Sequence, residues 1–178
     1  MNHSFSATMC DPVFAPRMES CRSVTIPASV KRCRETGRID CFRLNWKPGM
    51  PNQPHRFFDS DFAKVLEGMA YMLELHPEDK ALAEELDRFV DLVISAQQPD
   101  GYLNSYFSGV EPEHRWCNLY NWHELYCAGQ YVLTSSLDTL ILGIGKQPEL
   151  MVCLSSSPLC VCQTVDEQRI LAEFELTD

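Results

Sequence analysis

Two apolar stripes at helical spacing, separated by only a few residues, constrain this chain more than any other feature. The first is Phe62, Leu66, Met69, Ala70 and Leu73. The second follows His76-Pro77 and comprises Leu82, Leu86, Phe89, Val90, Val93 and Ile94. Steps of three and four place each set on one face of an α-helix. Ser60 is expected to cap the first helix, which should run to about Leu75, with Asp61 at its positive end. Glu78 and Asp79 fall in the first turn of the second helix. So short a connection makes the two helices antiparallel neighbours, an αα-hairpin.

The flanking regions extend this all-α pattern. Thr25 is a plausible N-cap, Pro27 suits a first turn and Gly37 suits a stop, which predicts a helix between them. Residues 1–24 show no clear periodicity and read as a loose leader. Downstream, Pro99-Asp100-Gly101 is a turn signal, and Tyr102 to Phe107 reads as an aromatic-rich loop. A third helix is expected from about Asn118 past Gln130. Only Leu140–Ile144, LILGI, is ambiguous between helix and strand. From about Leu133 the chain turns rich in Ser, Leu and Cys and loses any period. Thr164–Glu167 is a capping-box pattern ahead of Ile170, Leu171 and Phe174. No repeat of fixed length occurs.

Composition narrows the function classes. At 178 residues, 45% apolar and 22% charged, the chain suits one globular domain. The formal net charge is −10. Residues 1–49 carry eight Lys/Arg against four Asp/Glu, whereas residues 50–130 carry five against fourteen. A net acidic chain argues against nucleic acid as a partner, because phosphate contacts need clustered cations. The basic run Lys31–Arg38 contains Glu35 and reads as a solvated helix face rather than a nucleic-acid patch. The longest uncharged stretch, Leu150–Val165, is too short and too polar for a membrane span, so no membrane partner is expected. Nine cysteines are present, an odd number without a C-x-x-C pair. With no signal-peptide pattern at the start, free thiols in a cytoplasmic setting are the expectation.

The chemistry-bearing motif is NWHELYCAG, Asn121 to Gly129. His123-Glu124 begins like the zinc-protease pattern H-E-x-x-H, but Cys127 stands at the fifth position. On a helix His123 and Cys127 lie one turn apart, and imidazole and thiolate both ligate zinc. Two ligands do not complete a site, and His114, Glu111, Glu113 and Cys117 nearby have no diagnostic spacing. Three readings stay open: a small His/Cys metal site, a piece of another active site, or a histidine hydrogen-bonded in a helix interface.

Three stretches bear on that choice: FFDSDFAKVLEGMAYMLELHPE (Phe57–Glu78), DLVISAQQPDGYLNSYF (Asp91–Phe107) and VEPEHRWCNLYNWHELYCAG (Val110–Gly129). In order and spacing they resemble the amino-terminal part of the glycoside hydrolase family 127 catalytic domain, the β-L-arabinofuranosidase-like proteins. TGRIDCFR (Thr36–Arg43) is similar too, with Cys41 where the family pattern has Asn. The resemblance implies a partial (α/α)6 barrel, an incomplete ring of helical hairpins of the six-hairpin glycosidase type, with a sugar pocket at one end. It implies that His123 faces that pocket as a substrate contact. Asp59 and Asp61 are further candidates for substrate binding, with helix capping the rival role, above all for Asp61. Trp116, Tyr120 and Trp122 either stack on a sugar or belong to the core. The partner implied is a carbohydrate with a terminal arabinofuranose-like sugar; the oligomeric state is left open.

The same resemblance implies what is not expected. Family members use a zinc-held cysteine as nucleophile and a glutamate as acid/base, and these lie in a later part of the barrel. No catalytic residue and no metal ligand is therefore assigned, and Cys153, Cys160 and Cys162 do not match the family's Cys-rich motif. No cofactor is expected in this chain, zinc being expected in a full-length relative. The expected division is a leader at 1–21, a family segment at 22–132, and a non-family tail at 133–178. The abrupt change near Leu133, after Gln130 replaces an expected His, suits a gene-model artefact or a degenerate gene better than a new domain. The function expected is that of a glycosidase fragment, inactive alone; the alternative is a sugar-binding or helical interaction module. A cut ring leaves apolar helix faces without neighbours.

Overall fold

A computed structural model describes residues 11–131, and these are helical with no strand among them. The expected hairpin is its centre. Helix α3, Phe58–Leu75, and α4, Lys80–Ser95, pack together across the short turn at 76–79, where Asp79 Oδ1 accepts the Leu82 N–H at 3.2 Å as the α4 N-cap. The order of elements before them is α1, Phe14–Ser20, and α2, Ile26–Glu35, then a 3₁₀ turn at Asp40–Arg43. After them come α5, Ser105–Gly109, a 3₁₀ turn at Pro112–His114, and a helical segment over residues 124–131, α6.

The main core joins α2, the Asp40–Arg43 turn, α3, α4 and α6. All five residues of the first expected stripe are buried, with Ala63 and Met72 beside them. From the second stripe Leu86, Phe89 and Val93 are buried, while Leu82, Val90 and Ile94 pack at the edge. Phe62 is the keystone: its ring lies 5.7 Å from Phe42 and 5.2 Å from Phe89, between the turn and the hairpin. A satellite cluster of Tyr102, Tyr106 and Phe107 sits under Val110, Trp116 and Trp122.

The uneven charge has a structural use. The basic amino-terminal helices lie against the acidic hairpin, with Arg22 on Asp79 at 2.8 Å, Arg34 on Glu85 at 2.6 Å and Arg38 on Asp61 at 2.9 Å. Lys31, Arg32 and Arg34 are exposed and Cys33 is buried, as expected of an amphipathic face.

Three helix starts differ from expectation. Thr25 is not a cap: its backbone is helical, and residues 14–35 are helical throughout. The helix begins where Asp11 Oδ1 accepts the N–H groups of Val13 and Phe14. Pro27 has no N–H for the Ser23 carbonyl and crowds it, so the preceding turn, Cys21–Thr25, widens into a π-helical segment instead of ending. Ser60 lies inside the first turn of α3, where its hydroxyl donates back to the Phe57 carbonyl at 3.0 Å. The helix expected from Asn118 begins at 124, because Asn118 Oδ1 accepts the Asn121 N–H in a local turn and His123 adopts φ +57°. The residues expected to loop between Tyr102 and Phe107 are largely buried and contain the start of α5, capped by Asn104.

Gly37 stops α2 as expected. It has φ +79°, and Arg38 N–H reaches the Cys33 carbonyl at 2.9 Å while Gly37 N–H reaches Arg34 at 3.3 Å, a Schellman closure. A Cβ here would stand 2.7 Å from Asn52 Cβ. Gly37→Ala is therefore expected to destabilise by roughly 1–2 kcal/mol from backbone strain alone, with the clash adding to it. Urea denaturation checks this; an unchanged midpoint would refute it.

Among the described residues no helix is long and apolar enough to cross a membrane. Leu140–Ile144, the Thr164–Glu167 pattern and Cys153, Cys160 and Cys162 lie outside the described residues.

Candidate functional site

The first turn of α3 and the start of α6 meet through side chains that the motif and its neighbours supply. Asp59 is completely buried. Its Oδ2 accepts the Ser105 N–H at 2.8 Å and the Tyr131 hydroxyl at 2.9 Å, and its Oδ1 accepts the Ser105 hydroxyl. Burial pushes the Asp59 carboxyl above its ordinary pKa, against the pull of these donors. Burial likewise raises Tyr131, as does the Asp59 charge. The carboxylate thus ties α3 to α5 and α6.

Glu124 forms a second buried anchor. Its Oε1 accepts the Tyr102 hydroxyl at 2.6 Å, and both oxygens accept the Trp116 N–H, at 3.1 and 3.0 Å. Burial raises its pKa and that of Tyr102. Asp59 and Glu124 together hold the Tyr102–Phe107 segment, at Ser105 and at Tyr102. Trp116, at φ +60°, meets Tyr102 edge-on at 5.0 Å, and Trp122 stacks on Phe107 at 5.5 Å beneath Arg56. Both tryptophans thus pack on the satellite cluster, whereas Tyr120 is 90% exposed.

His123 and Cys127 part company. His123 precedes α6 with a left-handed backbone, is exposed, and rests on Phe57 at 4.4 Å and Tyr126 at 5.6 Å. Cys127 is fully buried one turn on, with its thiol pushed up to about 12 by burial. Asp61, half-exposed, turns to Arg38, on the side of α2. The structure therefore places His123 on the ring of Phe57, next to the first turn of α3, but sends Asp59 inward and Asp61 to another side.

A zinc ion does not fit the described residues. No three His, Cys, Asp or Glu side chains among them converge on one point. The described cysteines, Cys21, Cys33, Cys41, Cys117 and Cys127, are free thiols, three of them buried.

Sequence reasoning missed Glu124, Tyr102, Ser105 and Tyr131 as a network. The His-Glu pair drew attention to the histidine, and the partners of Glu124 lie 8 and 22 residues away.

Comparison with known proteins gives this geometry a context. The family model for the β-L-arabinofuranosidase GH127 catalytic domain matches residues 6–142, a wider span than the quoted stretches. A non-reducing end β-L-arabinofuranosidase of Bifidobacterium longum subsp. longum is 44% identical over 80 residues, 43% of this chain and 12% of that protein. The crystal structure of a GH127 β-L-arabinofuranosidase from Geobacillus stearothermophilus T6 superposes with a TM-score of 0.77 at 30% identity, over 85% of this chain and 25% of its own. A second GH127 β-arabinofuranosidase gives 0.75 at 27% identity, over 88% and 26%. The chain thus spans an eighth to a quarter of these relatives' lengths. With three quarters of its residues inside the family model and the same helical arrangement, the chain belongs to the GH127 β-L-arabinofuranosidase catalytic-domain family.

Proposed function

We propose that this chain is an amino-terminal part of a β-L-arabinofuranosidase-like glycoside hydrolase. In this reading its hairpins belong to an incomplete (α/α)6 ring, and it turns over no glycoside by itself. The observation that carries the reading is the family match over residues 6–142 in a chain spanning a quarter of the solved relatives. The chemistry of the described residues agrees. A glycosidase needs an acid and a nucleophile facing the sugar, commonly two carboxylates. The buried carboxylates Asp59 and Glu124 face inward and are occupied by Ser105, Tyr131, Tyr102 and Trp116. His123, exposed on an aromatic shelf, can donate to and accept from a sugar hydroxyl. It is the substrate contact, while Asp59 fixes the first turn of α3 from within and Asp61 pairs with Arg38 away from the shelf. The ligand is a carbohydrate ending in an arabinofuranosyl unit.

Two measurements on the purified chain test this. Hydrolysis of 4-nitrophenyl β-L-arabinofuranoside is expected to stay at the buffer rate. Methyl β-L-arabinofuranoside is expected to bind weakly, in the millimolar range of about −4 kcal/mol, and binding should weaken about tenfold in His123→Ala, the order of one lost hydrogen bond to a neutral group. Turnover abolished by a thiol reagent would overturn the claim of inactivity. Binding indifferent to His123→Ala would overturn the assigned contact.

A further inference from the structure

Between α2 and the start of α3 runs a groove of about 660 Å³ that the sugar reading leaves unused. Its floor is apolar. Val24, in the π-helical turn, is 63% exposed, and Ala28 and Val65 line the groove with it. One of its cations is already satisfied: Arg38 is held by Asp61 at 2.9 Å and covers the Phe58 ring at 4.5 Å. The other, Arg32, is exposed and pairs with no acid among the described residues, whereas Lys31 and Arg34 on the same helix pair with Glu35 and Glu85. Val24, Ala28 and Arg32 follow one another at steps of four, so the groove presents an apolar row that ends in one unmatched positive charge. Such a row suits an amphipathic helix with an acid at the matching place, read through anchors at helical spacing.

The chain itself supplies that complement. The capping-box pattern at Thr164–Glu167 predicts a short helix after it. On that helix Glu167, Leu171, Phe174 and Asp178 share one face, at steps of four, three and four, with Ile170 beside them. The face is apolar in the middle and acidic at both ends. Residues 164–178 hold five acids against one Arg, so the basic helices before residue 40 attract the segment and the acidic α3–α4 hairpin repels it. The connecting chain is long enough. Tyr131 is bonded to Asp59 on the first turn of α3, two residues from Asp61 on the groove wall. From there the 32 residues at 132–163, taken as a flexible coil, span about 30 Å, twice the length of α2 at about 15 Å.

We propose that residues 164–178 dock in the α2–α3 groove of their own chain, antiparallel to α2, with Leu171 over Ala28, Phe174 over Val24 and Glu167 on Arg32. The two rows have matching lengths. Glu167 to Phe174 rises about 10.5 Å and Val24 to Arg32 about 12 Å at helical pitch, so the charge pair and the aromatic anchor engage together. The antiparallel direction sets the positive end of the docked helix beside the negative end of α2. The segment then caps an apolar face against water, as terminal repeats do in stacked helical proteins. The inference is independent of the sugar reading, since none of these residues belongs to the His123 shelf.

Hydrogen exchange of the full chain, followed by mass spectrometry on residues 24–32, tests this. A tether of this kind gives an effective concentration of about 1 mM, so a groove affinity of about 0.1 mM protects these amides about tenfold. Phe174→Asp is expected to speed their exchange about tenfold, and Arg32→Glu to act in the same direction. Combining Arg32→Glu with Glu167→Arg should restore most of the protection, a recovery that simple weakening of α2 would not show. Exchange unchanged in Phe174→Asp overturns the docking. A double variant that exchanges as fast as Arg32→Glu alone overturns the assigned pair and with it this placement of the segment. Protection that grows with protein concentration also overturns the proposal, and assigns the groove to a second copy of the chain.

Discussion

Asp59→Ala is expected to destabilise the fold by about 3–5 kcal/mol, because a buried hydrogen-bond network loses its shared acceptor and leaves its donors unpaired. Three donors lose their acceptor at once: the Ser105 N–H, the Ser105 hydroxyl and the Tyr131 hydroxyl. The hydroxyls can turn elsewhere, but the backbone N–H cannot, and an orphaned buried donor costs about 1–3 kcal/mol by itself. Asp59→Asn keeps the shape. Its amide oxygen accepts from Ser105 N–H and Tyr131, and its amide nitrogen faces the Ser105 hydroxyl, so its cost should be much smaller. Urea denaturation followed by circular dichroism separates the two variants. An Ala variant within about 0.5 kcal/mol of the parent, the spread of an ordinary surface substitution, would show that the network is dispensable.

The pH dependence of the same pair tests the electrostatics. Burial raises the folded-state pKa of Asp59 above its unfolded value, near 3.9. The folded state then holds the proton more tightly than the unfolded one, so this group's stabilising contribution is full below about pH 3.9 and is lost as pH rises through the folded value. Asn at this position does not titrate. Asp59→Asn is therefore expected to gain on the parent as pH rises from about 4. A gap widening in the parent's favour over that interval would mean that the three donors outweigh burial.

How much of this was legible in the sequence follows from the range of the interactions involved. The stripes of α3 and α4 were readable because each helix buries one face, and a buried face forces a period. Gly37 and the Pro99-Asp100-Gly101 turn were readable because their backbone needs are local; Gly101 has φ +85° and closes on the Gln98 carbonyl at 2.8 Å. The start at Thr25 was misread because a Thr-x-Pro sequence looks the same at a true N-cap and inside a helix that a π-turn has relaxed. The start of α6 was misread because Asn118 to His123 has ordinary helix-compatible composition, and only the Asx turn and the left-handed His123 interrupt it. Asp59 read as a candidate sugar contact, with helix capping as the rival role. Its burial depends on Ser105 and Tyr131, 46 and 72 residues away, and no local pattern announces such partners. The family resemblance reached further than the motif did, since the family match spans residues 6–142 whereas His123-Glu124 alone left three readings open.

Phe62→Ala is expected to be as damaging as loss of Asp59, at about 3–5 kcal/mol, for an apolar reason. Phe62 is fully buried on the inner face of α3, less than one turn beyond Asp59. Its ring touches Phe42 from the turn that follows α2 and meets Phe89 of α4 at an interplanar angle of 80°. Removing it takes away transfer energy and leaves a cavity whose walls come from three elements, two of them rigid helices that cannot close it without shifting. Phe62→Leu keeps most of the volume and should cost about 1–1.5 kcal/mol. The order Ala well below Leu, at an unchanged denaturant slope, identifies a packing defect in a fold that still unfolds as a unit. Equal effects of Ala and Leu would instead mean that the edge-on contact with Phe89, not the filled volume, holds the hairpin against the Asp40–Arg43 turn. An effect below about 1 kcal/mol for both, small for a core truncation, would mean that α3 is not packed at this position as described.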